Sequence, residues 1–208
     1  MSEYLVPFMD TESEFVEKRS RFISHIWRVE TEAEARARIE EMKKKYYDAR
    51  HNCWCYLLKE GNVVRYSDDG EPQGTAGVPM LEVLKAKKLY ETAVAVVRYF
   101  GEVKLGAGGL VRAYSSCTAE NLDGADIRVL EVCVELFCAV DYTGVDSLQK
   151  YISTHTCSPL STDYGEKVRY KIAVKKAQAD AFESELVDYM HGRVSIERGD
   201  EYYAPFAE

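Results

Sequence analysis

A glycine-rich basic segment in the middle of the chain contains the residue types that bind phosphate groups. Its cations are separated by glycines, and its pattern predicts a helix from about Leu110 to Leu122 directly afterwards. Unpaired backbone N–H groups at a helix N-terminus, together with the helix dipole, favour an anion. The segment therefore predicts a phosphate- or nucleic-acid-binding site formed by Arg98, Lys104, Gly106, Gly108, Gly109 and Arg112.

This segment differs from the two best-known phosphate-binding motifs. The P-loop pattern GxxxxGK[ST] is absent, and Val111 stands where a dinucleotide-binding GxGxxG motif would have its third glycine. The glycines could instead serve only a tight turn between a strand and a helix. Both interpretations remain open at the level of sequence.

A second candidate is the acidic loop, which we define as Ser67 to Gly77. Clustered carboxylates on a loop could hold Mg²⁺ or supply an acid and a base. We favour turn-forming aspartates and solvated charge instead, and we predict neither a metal ion nor any other cofactor. The carboxylates concerned are Asp68, Asp69 and Glu71.

His51 follows Arg50 at the start of a predicted strand and could act as a general base, with Ser115 or Ser116 as a distant nucleophile. No GxSxG elbow surrounds either serine, so we assign no catalytic residue. We expect His51 to contact phosphate or to lie at a strand edge. With Arg21, it completes the predicted binding site.

Aromatic residues lie among these cations, as they would on a surface that stacks single-stranded nucleic acid. We expect half or more of them to belong to the core. They are Trp54, Tyr56, Tyr66, Tyr99, Phe100 and Tyr114.

Composition limits the classes of function. The net charge of −8 gives no global attraction to nucleic acid, so any contact with a polyanion must come from a local patch.

The beginning of the chain lacks the features of a signal peptide, and no apolar run is long enough to span a membrane. We therefore expect a cytoplasmic protein with reduced cysteines. Cys53 and Cys55 share one strand face, where burial is favoured over metal binding.

The order of predicted elements indicates two α+β domains, at 1–126 and 127–208. Phe15 to Val29 predicts one or two strands, and Thr31 with Glu34 predicts the start of a helix that ends near Tyr46. A hairpin, a helix from about Met80, a buried strand and the helix from about Leu110 follow. After Asp126 the order is βαββαβ, which is typical of ferredoxin-like domains.

Three blocks of sequence resemble the IMPACT family, whose bacterial members are of the YigZ type. Arg19 to Phe22 is similar to the family's K-S-x-F motif, and Asp68 to Leu81 is similar to its DDGEPxGTAGxPML block. Arg98 to Tyr114 resembles its RYFGGxKLGxGGLxRAY signature, except that Glu102 replaces the second glycine of FGG. If Glu102 points into the binding loop, its charge would weaken phosphate binding.

The resemblance implies an N-terminal two-layer fold like domain 2 of a ribosomal protein, and a C-terminal domain like the last domain of elongation factor G. Eukaryotic members restrain a translation-initiation-factor kinase by competing for its activator protein. We therefore expect a non-enzymatic protein linked to translation that contacts RNA, the ribosome or a translation-related protein. The alternative is an enzyme that binds a nucleotide or phosphate ligand with the same glycine-rich loop and with Asp68 and Asp69.

Overall fold

The computed structural model describes residues 3–205 of the 208-residue chain. These residues are mixed α+β and form two compact units, one of Tyr4–Arg128 and one built mainly from Val129 onwards. Helices and strands occur in both, which confirms the predicted fold class. We keep 1–126 and 127–208 as the proposed domain bounds. Within residues 3–205, no helix is both long and apolar enough to cross a membrane.

The N-terminal domain is built on a five-stranded antiparallel sheet with the order β2-β3-β6-β4-β5. Its strands, together with the short strand β1 that precedes it, are β1 (Glu3–Pro7), β2 (Thr11–Glu17), β3 (Ser20–Arg28), β4 (His51–Leu57), β5 (Val64–Ser67) and β6 (Thr92–Tyr99). Its helices are α1 (Glu32–Lys45), α2 (Gly77–Ala86) and α3 (Ala107–Asp123).

Helices cover both faces of this sheet, so the N-terminal domain has three layers and the expected two-layer arrangement is wrong in this respect. Ile39 and Met42 of α1 pack on one face, whereas Met80 of α2 and Leu110 and Tyr114 of α3 pack on the other. The central strand β6 is buried on both faces, which explains its continuous apolar run.

Two helix starts have identifiable causes. At α1, the Thr31 hydroxyl accepts a hydrogen bond from the Glu34 N–H at 3.2 Å, which confirms the predicted N-cap. Helix α2 begins at Gly77, three residues before the predicted Met80, because the Asp68 carboxylate accepts hydrogen bonds from backbone N–H groups at its N-terminus.

The C-terminal domain has the predicted order βαββαβ. Its elements are β7 (Ile127–Val140), α4 (Val145–Thr154), β8 (Ser158–Tyr164), β9 (Val168–Lys175), α5 (Ala179–Tyr189) and β10 (Ser195–Pro205). The strands pair antiparallel in the order β10-β7-β9-β8, and the apolar residues of both helices share one core with one face of the sheet. This strand order confirms the ferredoxin-like fold.

Candidate functional site

A cleft of about 440 Å³ opens at one end of the N-terminal sheet. Four segments form its walls: the start of β4, the acidic loop, the end of β6, and the segment that leads into α3. A cavity of this volume is large enough for a small ligand or for one unit of a polymer. The lining residues are Arg50, His51, Gly70, Glu71, Pro72, Arg98, Phe100, Lys104, Leu105, Gly106, Ala107 and Leu110.

A buried charge cluster forms the floor of the cleft. Arg98 Nη1 donates to Glu71 Oε1 at 2.6 Å, and the Tyr114 hydroxyl donates to the same oxygen at 2.9 Å. The side chains of Arg98 and Glu71 are only 7% and 3% exposed. Burial and the nearby Glu71 carboxylate raise the pKa of Tyr114, so this hydroxyl stays protonated and can donate.

Arg98 also has unused hydrogen-bonding capacity. Its Nε atom is buried and has no hydrogen-bond partner among residues 3–205, while Nη2 makes a long contact of 3.4 Å with the Ser20 hydroxyl. Buried polar groups are nearly always paired in folded proteins. Because this N–H is closed off from solvent, a ligand in the cleft would reach it only if the Arg98 side chain rearranged.

His51 is fixed in orientation by the acidic loop. Its Nδ1 atom lies 2.8 Å from the backbone carbonyl oxygen of Asp69. Gly70 packs against the ring, because a β-carbon there would lie 3.4 Å from Nδ1. Register also places His51 directly opposite Arg98, so both side chains lie on the same face of the sheet.

The carboxylates of the acidic loop bond mainly within the protein. Asp68 accepts hydrogen bonds from the backbone N–H groups of Gly74, Ala76 and Gly77 at 2.8–3.0 Å. Asp69 accepts one from the Asn52 N–H at 2.6 Å. Glu71 is buried against Arg98, so the expectation of solvated charge is wrong for Glu71. The turn-forming role holds for both aspartates.

Two further cations and an uncapped helix end complete the cleft. Arg50 and Lys104 line it and are exposed. Gly106 is the N-cap of α3, with a φ of 73° that favours glycine, and no side chain caps the helix there. Gly108 and Gly109 belong to the first turn of α3 rather than to a preceding loop. The cleft lining thus contains three cations, Arg50, Arg98 and Lys104, and one carboxylate, Glu71, which is already paired with Arg98.

Other predicted residues lie elsewhere. Arg21 is opposite Tyr99, on the face of the sheet away from Arg98, and pairs with Glu14 at 2.8 Å. Arg112 is exposed on α3 but is not part of the cleft lining. Neither Ser115 nor Ser116 is among the lining residues. Cys53 and Cys55 are buried, and burial raises the pKa of both thiols.

The aromatic residues divide between core and surface. Tyr56 and Tyr114 are buried, whereas Tyr66 and Phe100 are about half exposed. Of these, Phe100 lines the cleft, where its ring centroid lies 5.6 Å from the Arg98 guanidinium and 6.0 Å from that of Arg50. Phe100 therefore offers a stacking surface beside the cations. Arg50 is a lining residue that the sequence pattern did not predict, although its position next to His51 was the available signal.

Glu102 does not enter the cleft. Its side chain is exposed and is not among the lining residues, so it does not reduce the positive charge there by direct contact. Its φ of 68° is left-handed, which a glycine adopts without steric cost. The glycine of the family motif thus fits the backbone conformation at this position.

Glu102→Gly is therefore expected to raise the free energy of unfolding by about 1 kcal/mol, because relief of the left-handed strain exceeds the added freedom of the unfolded chain. Urea unfolding followed by tryptophan fluorescence would measure it. Glu120→Gly, in a right-handed helical position of α3, is the matched control and should lower stability by about 1 kcal/mol. Equal losses in both variants would contradict the strain at Glu102.

Comparison with known families gives two matches along the chain. Residues 18–122 match the family described as "Impact N-terminal domain", and residues 138–193 match a "domain of unknown function (DUF1949)". The first match contains the whole cleft.

Relatives with similar sequences carry the same family name. The chain is 37% identical to "IMPACT family member YvyE" of Bacillus subtilis, covering 92% of this chain and 89% of that protein. It is 35% identical to an "IMPACT family member" of Haemophilus influenzae, and the alignment covers 95% of this chain and 97% of that protein. The "Protein IMPACT homolog" of Dictyostelium discoideum is 34% identical but covers 49% of this chain and 30% of its own length.

A solved structure has a similar fold over nearly the whole chain. The "Crystal structure of an hypothetical protein" superposes with a TM-score of 0.62 at 28% sequence identity. The alignment covers 94% of this chain and 97% of the other.

Proposed function

Because this chain belongs to the IMPACT family, we propose that it is a non-enzymatic binding protein linked to translation, which holds RNA phosphates in the cleft of its N-terminal domain. The observation that carries the proposal is the cationic lining around Arg98, on a chain whose net charge is −8. A local positive cleft on an acidic protein favours a specific anionic site over diffuse attraction.

The proposed contacts follow from the chemistry of the lining. Arg50 and Lys104 are exposed donors that can reach successive phosphates, and the free N–H groups of the first turn of α3 favour the same charge. Phe100 supplies a flat apolar face for an unpaired base. The binding set is thus His51, Arg98, Lys104 and Gly106, with Arg50 and Phe100 added by the structure.

The enzymatic alternative receives less support from this geometry. Its metal ion would need the carboxylates of Asp68 and Asp69, which already accept backbone hydrogen bonds. No group of residues within 3–205 has the arrangement of a metal site. A protein partner is also compatible with this cationic surface. The experiment below distinguishes the two possibilities by whether RNA binds.

The test is fluorescence anisotropy of a labelled single-stranded RNA over a series of salt concentrations from about 50 to 200 mM. Wild-type affinity is expected to fall steeply with salt. In the Arg50→Ala, Lys104→Ala double variant, affinity should fall at least tenfold, and the log–log salt slope should lessen by about 0.7 for each phosphate that the variant no longer neutralises.

The matched control is Lys44→Ala, which removes an exposed cation from α1 on the opposite face of the sheet. It should leave both affinity and slope nearly unchanged. Absence of RNA binding at the lowest salt would overturn the proposed function. Equal losses in the control and the double variant would show that binding is diffuse rather than located in the cleft.

A further inference from the structure

We propose that His51 enables the cleft to distinguish RNA from DNA, by accepting a hydrogen bond from a ribose 2′-hydroxyl next to a bound phosphate. The inference rests on the RNA-binding function proposed above and assigns a specificity-determining residue to that site. A single-stranded ligand with a 2′-hydroxyl beside each phosphate is the chemical class that it requires.

The first step is the position of the proton on the imidazole ring. A backbone carbonyl can only accept, so the 2.8 Å contact between Nδ1 and the Asp69 carbonyl places a proton on Nδ1. In the uncharged ring, Nε2 then carries a lone pair. Since Gly70 packs against Nδ1 and Cε1, the ring is held in this orientation from a second side.

The second step is the availability of that lone pair. Nε2 lies 3.9 Å from Glu71 Oε1, which is too long for a hydrogen bond, and His51 is part of the cleft lining. Glu71 Oε1 already accepts hydrogen bonds from Arg98 and Tyr114. In the Nδ1-protonated neutral tautomer, His51 Nε2 is therefore an acceptor on the cleft lining that Glu71 does not occupy.

The third step compares the cleft with its ligand. Of the other polar side chains in the lining, Arg50, Arg98 and Lys104 can only donate hydrogen bonds and favour an anion, whereas the Glu71 carboxylate already accepts hydrogen bonds from Arg98 and Tyr114. An Nε2 acceptor beside these donors matches a ligand that carries a hydroxyl donor next to its anionic group. RNA presents a phosphate and a hydroxyl on adjacent atoms of one sugar, whereas DNA lacks the hydroxyl, which is the group by which proteins tell the two apart.

The test compares three labelled oligonucleotides of one sequence: RNA, 2′-O-methyl RNA and DNA. The wild-type protein should bind RNA about tenfold more tightly than either of the others, the effect of one hydrogen bond to an otherwise unpaired acceptor. The 2′-O-methyl strand keeps the RNA-like sugar shape but cannot donate. It therefore separates the proposed hydrogen bond from recognition of shape.

Variants locate the effect. His51→Phe keeps a flat ring but removes the acceptor, so RNA affinity should fall about tenfold to the DNA level while DNA affinity stays unchanged. His51→Gln places an amide oxygen near Nε2 and should restore part of the preference for RNA. His191→Phe, in the C-terminal domain, should behave as the wild type.

The outcomes distinguish this inference from the function on which it rests. Equal wild-type affinity for the three strands would overturn the role of His51 but leave RNA binding intact. An RNA preference that persists in His51→Phe would also overturn it. No binding of any strand at low salt would overturn the proposed function itself. The comparison of the three oligonucleotides uses only the wild-type protein, so it does not depend on whether a variant folds.

Discussion

Glu71→Ala is expected to lower the free energy of unfolding of the N-terminal domain by about 3–5 kcal/mol, because it leaves the Arg98 charge buried without its partner. Arg98 is 5% exposed, so water cannot replace the missing carboxylate without rearrangement. Tyr114, which is fully buried, would be left without its acceptor as well. Urea unfolding followed by tryptophan fluorescence measures this domain selectively, since both tryptophans of the chain, Trp27 and Trp54, lie in it.

The matched control for this prediction is Glu82→Ala on α2. Glu82 makes an exposed ion pair with Lys85 at 2.9 Å, and such pairs contribute about 0–1 kcal/mol. The double variant Glu71→Leu, Arg98→Met should recover much of the stability, because it removes both charges from the interior. A decrease at Glu71 no larger than that at Glu82 would show that Arg98 is solvated in the variant.

Gly101→Ala is expected to destabilise the same domain by about 3 kcal/mol or more, because there is no room for a β-carbon. An ideal β-carbon at Gly101 would lie 1.9 Å from the Arg19 carbonyl carbon and 2.3 Å from the Ser20 nitrogen. These are backbone atoms of the turn between β2 and β3, so no side-chain rotation relieves the clash. The turn itself would have to move.

Gly108→Ala provides the internal comparison for Gly101. A β-carbon at Gly108 meets nothing within 4 Å, and the residue is helical. Stability should be unchanged or raised by up to about 1 kcal/mol, since alanine favours helix over glycine. Similar destabilisation by both substitutions would contradict the packing explanation, and the same tryptophan signal measures both.

Most of the fold could be predicted from local patterns. The capping residues Thr31 and Glu34, the βαββαβ order after Asp126 and the apolar run within β6 all correspond to elements of the predicted type. The predicted starts of α2 and α3 are both three residues too late. The start of α2 is set by Asp68, which caps the helix from outside it. The first turn of α3 contains glycines, whose low helix propensity argues against a helix there. The hydrophobic periodicity therefore indicates neither helix start.

The candidate site could be predicted only in part. The motifs correctly bring Arg98, Lys104 and Gly106 to one place, where His51 joins them through the pairing of β4 with β6. The sequence prediction also includes Arg21 in this site, but alternation along β3 directs its side chain to the other face of the sheet. The burial of Glu71 depends on tertiary contacts with Arg98 and Tyr114, which no local pattern encodes.

The construction of the cleft from four separate segments also affects how the domain folds. Its walls join residues near positions 50, 70, 100 and 105, so the cleft exists only when these separate parts of the chain have come together. Partial unfolding of any one segment removes the site, and a ligand bound there selects the intact domain. Occupancy at about 100 times the dissociation constant would add roughly 2.7 kcal/mol to the stability of that domain. A ligand that binds this cleft would thus also raise the protection of the whole domain from hydrogen exchange.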